Sequence, residues 1–199
     1  MTPTAGIDFD ERCALVVVDV QNDFADPSGS LFVTGGDGII PLVNDLAATA
    51  RAAGAGVVFT QDWHPPETPH FATHGGTWPV HCVRDTWGAQ LHPDLDTVGP
   101  VVRKGTGGED GYSGFFARDV ATGRDVPTDL RAVLEDWGTT RVVVVGLARD
   151  VCVQATALDS RRLGYDTAVV VEATAAVELH PGDGARALET MAGAGITLV

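Results

Sequence analysis

The chain has 199 residues, of which 44% are hydrophobic and 20% charged, and a formal net charge of −14 at pH 7. That length and composition suit one globular core and leave no room for two ordinary domains and a linker, so a single domain over residues 1–199 is expected. Thirteen scattered Lys and Arg argue against a nucleic-acid partner, no apolar run reaches the roughly 18 residues that span a bilayer, and residues 1–12 lack the basic start and apolar core of a secretory signal, which makes the cytoplasm the expected location.

Three cysteines, Cys13, Cys82 and Cys152, are an odd number in a chain read without a signal, so a disulfide framework is not expected and at least one thiol is free. Residues 13–18, CALVVV, form the near-continuous apolar run that a parallel strand buried on both faces requires. The run stops at Asp19. Open α/β sheets bind ligands at the carboxyl ends of their strands, so Asp19 is either a carboxylate used in chemistry or a turn-organising Asp. The loop QNDFADPSGSLFVTGGD follows, with Phe24 either lining a pocket or filling core. Apolar residues at 39, 42, 43, 46, 47 and 50 predict a crossover helix over residues 39–53, with Pro41 tolerated in its first turn and Gly54 and Gly56 ending it. A short strand over residues 56–60 then delivers Gln61, Asp62, Trp63 and His64 to the same sheet edge. Asp62 and His64 lie two apart, so in extended chain both side chains point one way and can converge on one ion.

Residues 65–93 are rich in Pro, Gly and His without periodicity, the mark of a functional loop or lid. Asp62, His64, His70 and His81 supply carboxylate and imidazole groups suited to Zn²⁺ or Fe²⁺, with surface histidines in a loop as the alternative reading. Trp78 is pocket wall or core. A short strand at Val101 and Val102 runs into Arg103 and Lys104. A lysine at the end of a buried strand is costly unless paired; Asp19 is its natural partner, and otherwise it snorkels to the surface. A helix is expected over residues 129–137, capped by Thr128 and closed by Gly138, with Leu130, Val133, Leu134 and Trp137 on one face.

Four valines from Val142 run into Gly146, a tight turn follows, and Cys152 falls in the first turn of a helix that Asp150 caps and Gly164 ends. A thiol there faces unpaired N–H groups and the positive end of the helix dipole, both of which favour the thiolate; an inert buried cysteine is the alternative. A strand over residues 167–171, a helix over 182–194 and a strand over 196–199 complete the chain. The alternation predicts an α/β fold, three layers α/β/α around a mostly parallel sheet of about six strands with right-handed crossovers.

With Asp19, Lys104 and Cys152 each at a strand end and Asp62, His64 and His81 between them, the chain resembles the isochorismatase-like cysteine hydrolases and, among them, the nicotinamidases (pyrazinamidases). The matching pieces are VVVDVQNDF, GSLFVTGGD, TQDWHPPETPHF, WPVHC, LHPDL, KGTGGEDGYSGF and GLARDVCVQATALD, in one order. The resemblance implies the isochorismatase-like hydrolase fold, Cys152 as nucleophile, Asp19 as the base taking its proton and Lys104 as the supporting cation. It further implies an oxyanion hole from the backbone N–H groups of Ala148 and Cys152, and a cis peptide between Leu147 and Ala148. One divalent metal ion, zinc or iron(II) with manganese a further option, is implied on Asp62, His64 and His81, with His70 matching a fourth ligand found in some members only. Phe24, Trp78, Leu147 and Tyr112 match pocket residues, and Arg149 is the departure beside the nucleophile. The implied activity is hydrolysis of nicotinamide to nicotinate and ammonia through a thioester, with pyrazinamide also hydrolysed. A small-molecule substrate is thus the expected partner, without nucleic acid or membrane, and homo-oligomerisation is left open. Two other readings stay open: another amidohydrolase of the superfamily acting on an N-carbamoyl or ureido substrate, and a non-catalytic, metal-stabilised interaction subunit.

Overall fold

Side chains alternate along CALVVV, so Cys13, Leu15 and Val17 pack into one apolar layer and Ala14, Val16 and Val18 into the other. With both faces covered, no position in the run can carry a polar group without a buried partner. A computed structural model describes residues 6–199, so part of the segment 1–12 read above lies outside the described residues. In chain order the elements are β1 (Cys13–Val18), α1 (Asn22–Ala25), α2 (Ile40–Ala52), β2 (Gly56–Asp62), a 3₁₀ turn (Ala72–His74), β3 (Val101–Lys104), β4 (Phe116–Arg118), β5 (Asp125–Pro127), α3 (Leu130–Asp136), β6 (Arg141–Leu147), a π-helical turn (Arg149–Val153), α4 (Gln154–Arg162), β7 (Asp166–Ala175), α5 (Asp183–Gly193) and β8 (Thr197–Leu198).

Six strands pair in the order β3-β2-β1-β6-β7-β8, all parallel. On one face α2 lays Val43, Leu46, Ala47 and Ala50 against Leu15, Val17 and Val143. Leu130 and Leu134 of α3, Ala157 of α4, and Ala187 and Met191 of α5 cover the other face. Burying a side chain such as Leu46, which has no exposed surface, contributes about 1.5–3 kcal/mol. From β1 the chain builds outward through β2 to β3, and from β6 outward through β7 to β8, so the topological switch point lies between the carboxyl ends of β1 and β6. No helix is long and apolar enough to cross a membrane among the described residues.

The three-layer architecture and six parallel strands agree with expectation, and the differences are local. Strands β2, β3 and β7 run further than their apolar cores, because ladder pairs such as Gln61↔Arg103 and Asp62↔Lys104 extend the backbone pairing into polar sequence. The hairpin of β4 and β5 was not expected; its strands have three residues each and β5 is wholly exposed, too short and polar to show a period. Helix α3 starts at Leu130 with Asp129 at its N-cap in place of the expected Thr128, whose Oγ1 accepts the Leu130 N–H at 3.2 Å from one residue further back. The expected helix around Cys152 opens as the π-helical turn, with Ala148 at its N-cap and no side-chain cap. Asp150 lies inside that turn, and its carboxylate instead accepts the N–H groups of Val177 and Glu178, each at 2.8 Å.

Three backbone features lie at the switch point. Gly146 has φ +109°, and a Cβ there would stand 2.1 Å from the Val18 carbonyl oxygen; this is where the pairing of β6 with β7 slips register between Val144 and Gly146. Asp19, at φ +48°, turns the chain out of β1, and the peptide between Leu147 and Ala148 is cis.

Candidate active site

The ends of β1, β3 and β6 bring Asp19, Lys104 and Cys152 together. Lys104 pairs in register with Asp62, and its Nζ extends past β2 to 2.7 Å from Asp19 Oδ2, 2.5 Å from Asp62 Oδ1 and 3.8 Å from Cys152 Sγ, and also donates to the Gly111 carbonyl. Acceptor atoms of Asp19, Asp62 and Cys152 lie within 4.8 Å of one another. Thr60 Oγ1 donates to the second oxygen, Asp19 Oδ1, at 2.6 Å. Asp19, Asp62 and Lys104 are all buried. Burial would discharge an isolated lysine, but the carboxylates of Asp19 and Asp62 outweigh it and hold Lys104 well above its ordinary value. Burial likewise opposes the charge on Asp62, yet Lys104 and His64 keep it well below the usual carboxylate range. In Asp19 burial wins over Lys104, and its carboxyl is raised to about 6.

Cys152 differs from the expectation drawn from helix position. Burial pushes its thiol well above the ordinary value, with Lys104 opposing, so the resting group is the neutral thiol and its proton needs an acceptor. Asp19, held on one oxygen by Lys104 and on the other by Thr60, is an ionisable neighbour of that thiol.

A second cluster abuts the first through Asp62. His64, His70 and His81, all buried, each offer a ring nitrogen within 4.8 Å of the others. Asp62 Oδ2 stands 3.6 Å from His64 Nε2 and 4.0 Å from His81 Nε2. His81 Nδ1 donates to the Pro79 carbonyl at 2.7 Å, which leaves Nε2 as a lone-pair donor. His70 Nδ1 meets Asp110 Oδ1 at 2.5 Å, the carboxylate–imidazole arrangement that orients metal-binding histidines. Burial lowers His81 to about 4 and also lowers His70, so both rings are neutral at pH 7 and able to ligate. His64 has no exposed surface and neither ring nitrogen has a hydrogen-bond partner among the described residues. An imidazole buried with both nitrogens unmatched is costly, and a divalent metal ion would take up the lone pair of one of them, so the donor set fits such an ion. Space for the ring comes from Gly105, φ +71°, where a Cβ would lie 2.5 Å from His64 Cε1. Of the remaining loop histidines, His74 is exposed, and His92 accepts the Asp94 N–H at 3.2 Å outside the cluster.

Members of both clusters line one cavity, formed by Cys152, Asp62, His70, His81, Gly111, Ala148 and a wall of Phe24, Leu31, Val33, Trp78, Tyr112, Val151 and Val177. Trp78 Nε1 donates to the Tyr112 hydroxyl at 2.9 Å, so the indole and phenol brace each other. Leu147 is a correction: it lies in the core with its Cδ1 beside Gly36 and does not line the cavity, because strand alternation turns it to the α2 face. Arg149 bonds to β7 and makes no hydrogen bond to Cys152 among the described residues. Its guanidinium reaches the end of β7, donating to Thr174 Oγ1 and the Thr174 carbonyl at 2.8 Å and to the Val171 carbonyl at 3.1 Å. Sequence reasoning missed Thr60, Asp110, Val151 and Val177. Thr60, at the end of β2, had a readable signal, as a polar residue closing an apolar run one strand over from Asp19; the others have none in local pattern.

The chain matches the isochorismatase domain over residues 13–199. It is 42% identical over 193 residues to a nicotinamidase/pyrazinamidase of Mycobacterium tuberculosis (strain ATCC 25618 / H37Rv), covering 94% of this chain and 97% of that protein. Among solved structures it is similar to PnC1 from L. infantum in complex with nicotinate, at TM-score 0.88 and 36% identity, covering 97% of this chain and 95% of that one. It is also similar to the pyrazinamidase of Pyrococcus horikoshii in complex with zinc, at TM-score 0.83 and 40% identity, covering 94% of this chain and 98% of that one. With that domain spanning β1 to β8, and the fold and cluster geometry described above in place, the chain belongs to the isochorismatase domain family.

Proposed function

We propose that the chain, as one domain over residues 1–199, is a nicotinamidase that hydrolyses nicotinamide to nicotinate and ammonia, with pyrazinamide as a second substrate. The observation that carries this reading is the sharing of Asp62: one carboxylate lies 2.5 Å from the lysine beside Asp19 and 3.6 and 4.0 Å from His64 and His81, and it lines, with Cys152, His70 and His81, a single cavity walled by aromatic rings. Its similarity to proteins named for nicotinamide and pyrazinamide hydrolysis supports the same substrate class.

In this reading Asp19 takes the Cys152 proton, with Lys104 holding the resulting charges together, and the thiolate adds to the amide carbon. The backbone N–H groups of Ala148 and Cys152 receive the developing oxyanion. Asp19 returns the proton to the leaving nitrogen, ammonia departs, and a thioester on Cys152 remains for water to hydrolyse, with Asp19 again taking a proton. Asp62, His64, His81 and His70 would hold one divalent ion, zinc or iron(II) with manganese a further option. When bound, that ion supplies a Lewis-acid contact for a pyridine nitrogen. Phe24 and Trp78 flank the ring, and Tyr112 braces Trp78 through its hydroxyl.

Comparison of nicotinamide with benzamide tests the reading, because they differ at one ring atom. Nicotinamide and pyrazinamide should release ammonia, and benzamide should be poorer by at least about tenfold in kcat/KM. Equal values for nicotinamide and benzamide would replace this reading with a general amidohydrolase, and turnover of an N-carbamoyl or ureido compound in preference to nicotinamide would favour that branch of the family.

A further inference from the structure

The ladder between β1 and β2 ends at Val17↔Phe59, and the chain leaves the sheet at Asp19, so the last residues of β2 have no β1 backbone beside them. A side chain fills that gap. Gln21, with no exposed surface, accepts the Asp62 N–H at its Oε1 and donates from Nε2 to the Asp62 carbonyl, both at 2.8 Å. The second Nε2 proton goes to the Ala89 carbonyl at 2.8 Å. A primary amide carries the donor and acceptor of a peptide group, and here it stands where a strand rung is missing. On its other side Asp62 is held by register with Lys104 on β3. The carboxylate secured in this way stands 2.5 Å from Lys104 Nζ and 3.6 Å from His64 Nε2.

We infer that Gln21 is a positioning residue for the Asp62 carboxylate, its side-chain amide locking the Asp62 backbone so that one carboxylate serves both the metal-binding set and the lysine beside Asp19. This rests on the metal-site reading above. A purely structural role for Gln21 is separable, because Gln61 offers a matched comparison: its Nε2 donates to the same Ala89 carbonyl at 2.8 Å and its side chain makes no bond to Asp62. Loss of Gln61 loosens the loop at Ala89, whereas loss of Gln21 also frees the backbone of a ligand residue.

The test is zinc affinity of the full chain, by competition with a chromophoric chelator, in the wild type, Gln21→Met and Gln61→Met, alongside thermal melting of each metal-free protein. Methionine keeps the length and removes the polar atoms. Gln21→Met should bind zinc about 10–100-fold more weakly, the range for residues that hold metal ligands in place, while Gln61→Met keeps wild-type affinity. Wild-type affinity in Gln21→Met, or affinity lost in both variants in step with their melting temperatures, overturns the assignment. A wild-type chain that binds no zinc refutes the metal reading instead, and hydrogen exchange at the Asp62 amide then decides the positioning role. Protection matching the sheet in wild type, lost in Gln21→Met, supports it; an unprotected Asp62 amide in wild type overturns it. The wild-type exchange measurement also decides the matter if Gln21→Met does not fold.

Discussion

At the scale of single residues, the proposed chemistry depends on where one proton resides. Cys152 rests as a thiol because burial disfavours its charge, and Asp19, raised to about 6, is ionised at pH 7 and able to take the proton. As the pH falls through 6 the carboxyl protonates and that capacity disappears. We therefore expect kcat/KM for nicotinamide to fall about tenfold per pH unit below the Asp19 value and to level off above it. His81, lowered to about 4, protonates only further down than Asp19. A flat profile from pH 7 to 4.5 would assign the base elsewhere. Cys152→Ala should abolish ammonia release while keeping wild-type zinc content, since the thiol is absent from the histidine set. Residual turnover near the wild-type rate would remove Cys152 as nucleophile.

At the scale of elements, the π-helical turn after β6 connects Cys152 to the pocket wall. Asp150 takes two consecutive N–H groups from the segment that carries Val177, and Glu178 in turn accepts the N–H groups of Gly182 and Gly184 at the start of α5, at 2.6 and 3.0 Å. Asp150→Ala should cost about 2 kcal/mol, within the range for hydrogen bonds to a charged group. Because Val177 and Val151 line the cavity, KM for nicotinamide should rise more than kcat falls; steady-state kinetics with an unchanged KM would confine Asp150 to stability. The histidines act as a set drawn from β2's end and the following loop. His64→Ala and His81→Ala should strip the metal and His70→Ala should retain it at reduced affinity, as read by metal analysis after gel filtration. Full occupancy in either of the first two would place any ion elsewhere.

At the scale of the whole molecule, four separated stretches of chain meet at the switch point because the sheet order puts β1 and β6 side by side, with β2 and β3 stacked outward from β1. A metal bound there ties the end of β2 to the loop carrying His70 and His81, and binding to the native state alone stabilises it by mass action. Chelation should lower the melting temperature, by an amount corresponding to about 2.7 kcal/mol for metal previously present at a hundred times Kd. A chain whose melting is indifferent to both chelator and added zinc would lack the proposed site.

The local pattern of the sequence determined the six strands of the central sheet and most helices, because an apolar run or a helical period records which faces are buried, and it located Asp19 and Lys104 at strand ends and Cys152 in the turn after β6. The pairing of Lys104 with Asp19 was also legible, since a buried lysine requires a carboxylate. The tertiary structure decided what depends on contact across long separations. Gln21 reaches Asp62, His70 reaches Asp110 and Thr60 reaches Asp19 across about forty residues or more of chain, and no periodicity encodes such meetings. It also decided direction: Leu147 turns into the core, Arg149 turns to β7, and Asp150 binds the Val177 segment where capping of its own helix was expected. The protonation of Cys152 follows the same rule. Helix position, readable from sequence, favours the thiolate, whereas burial, which only the folded chain creates, is the larger effect and keeps the proton on sulfur.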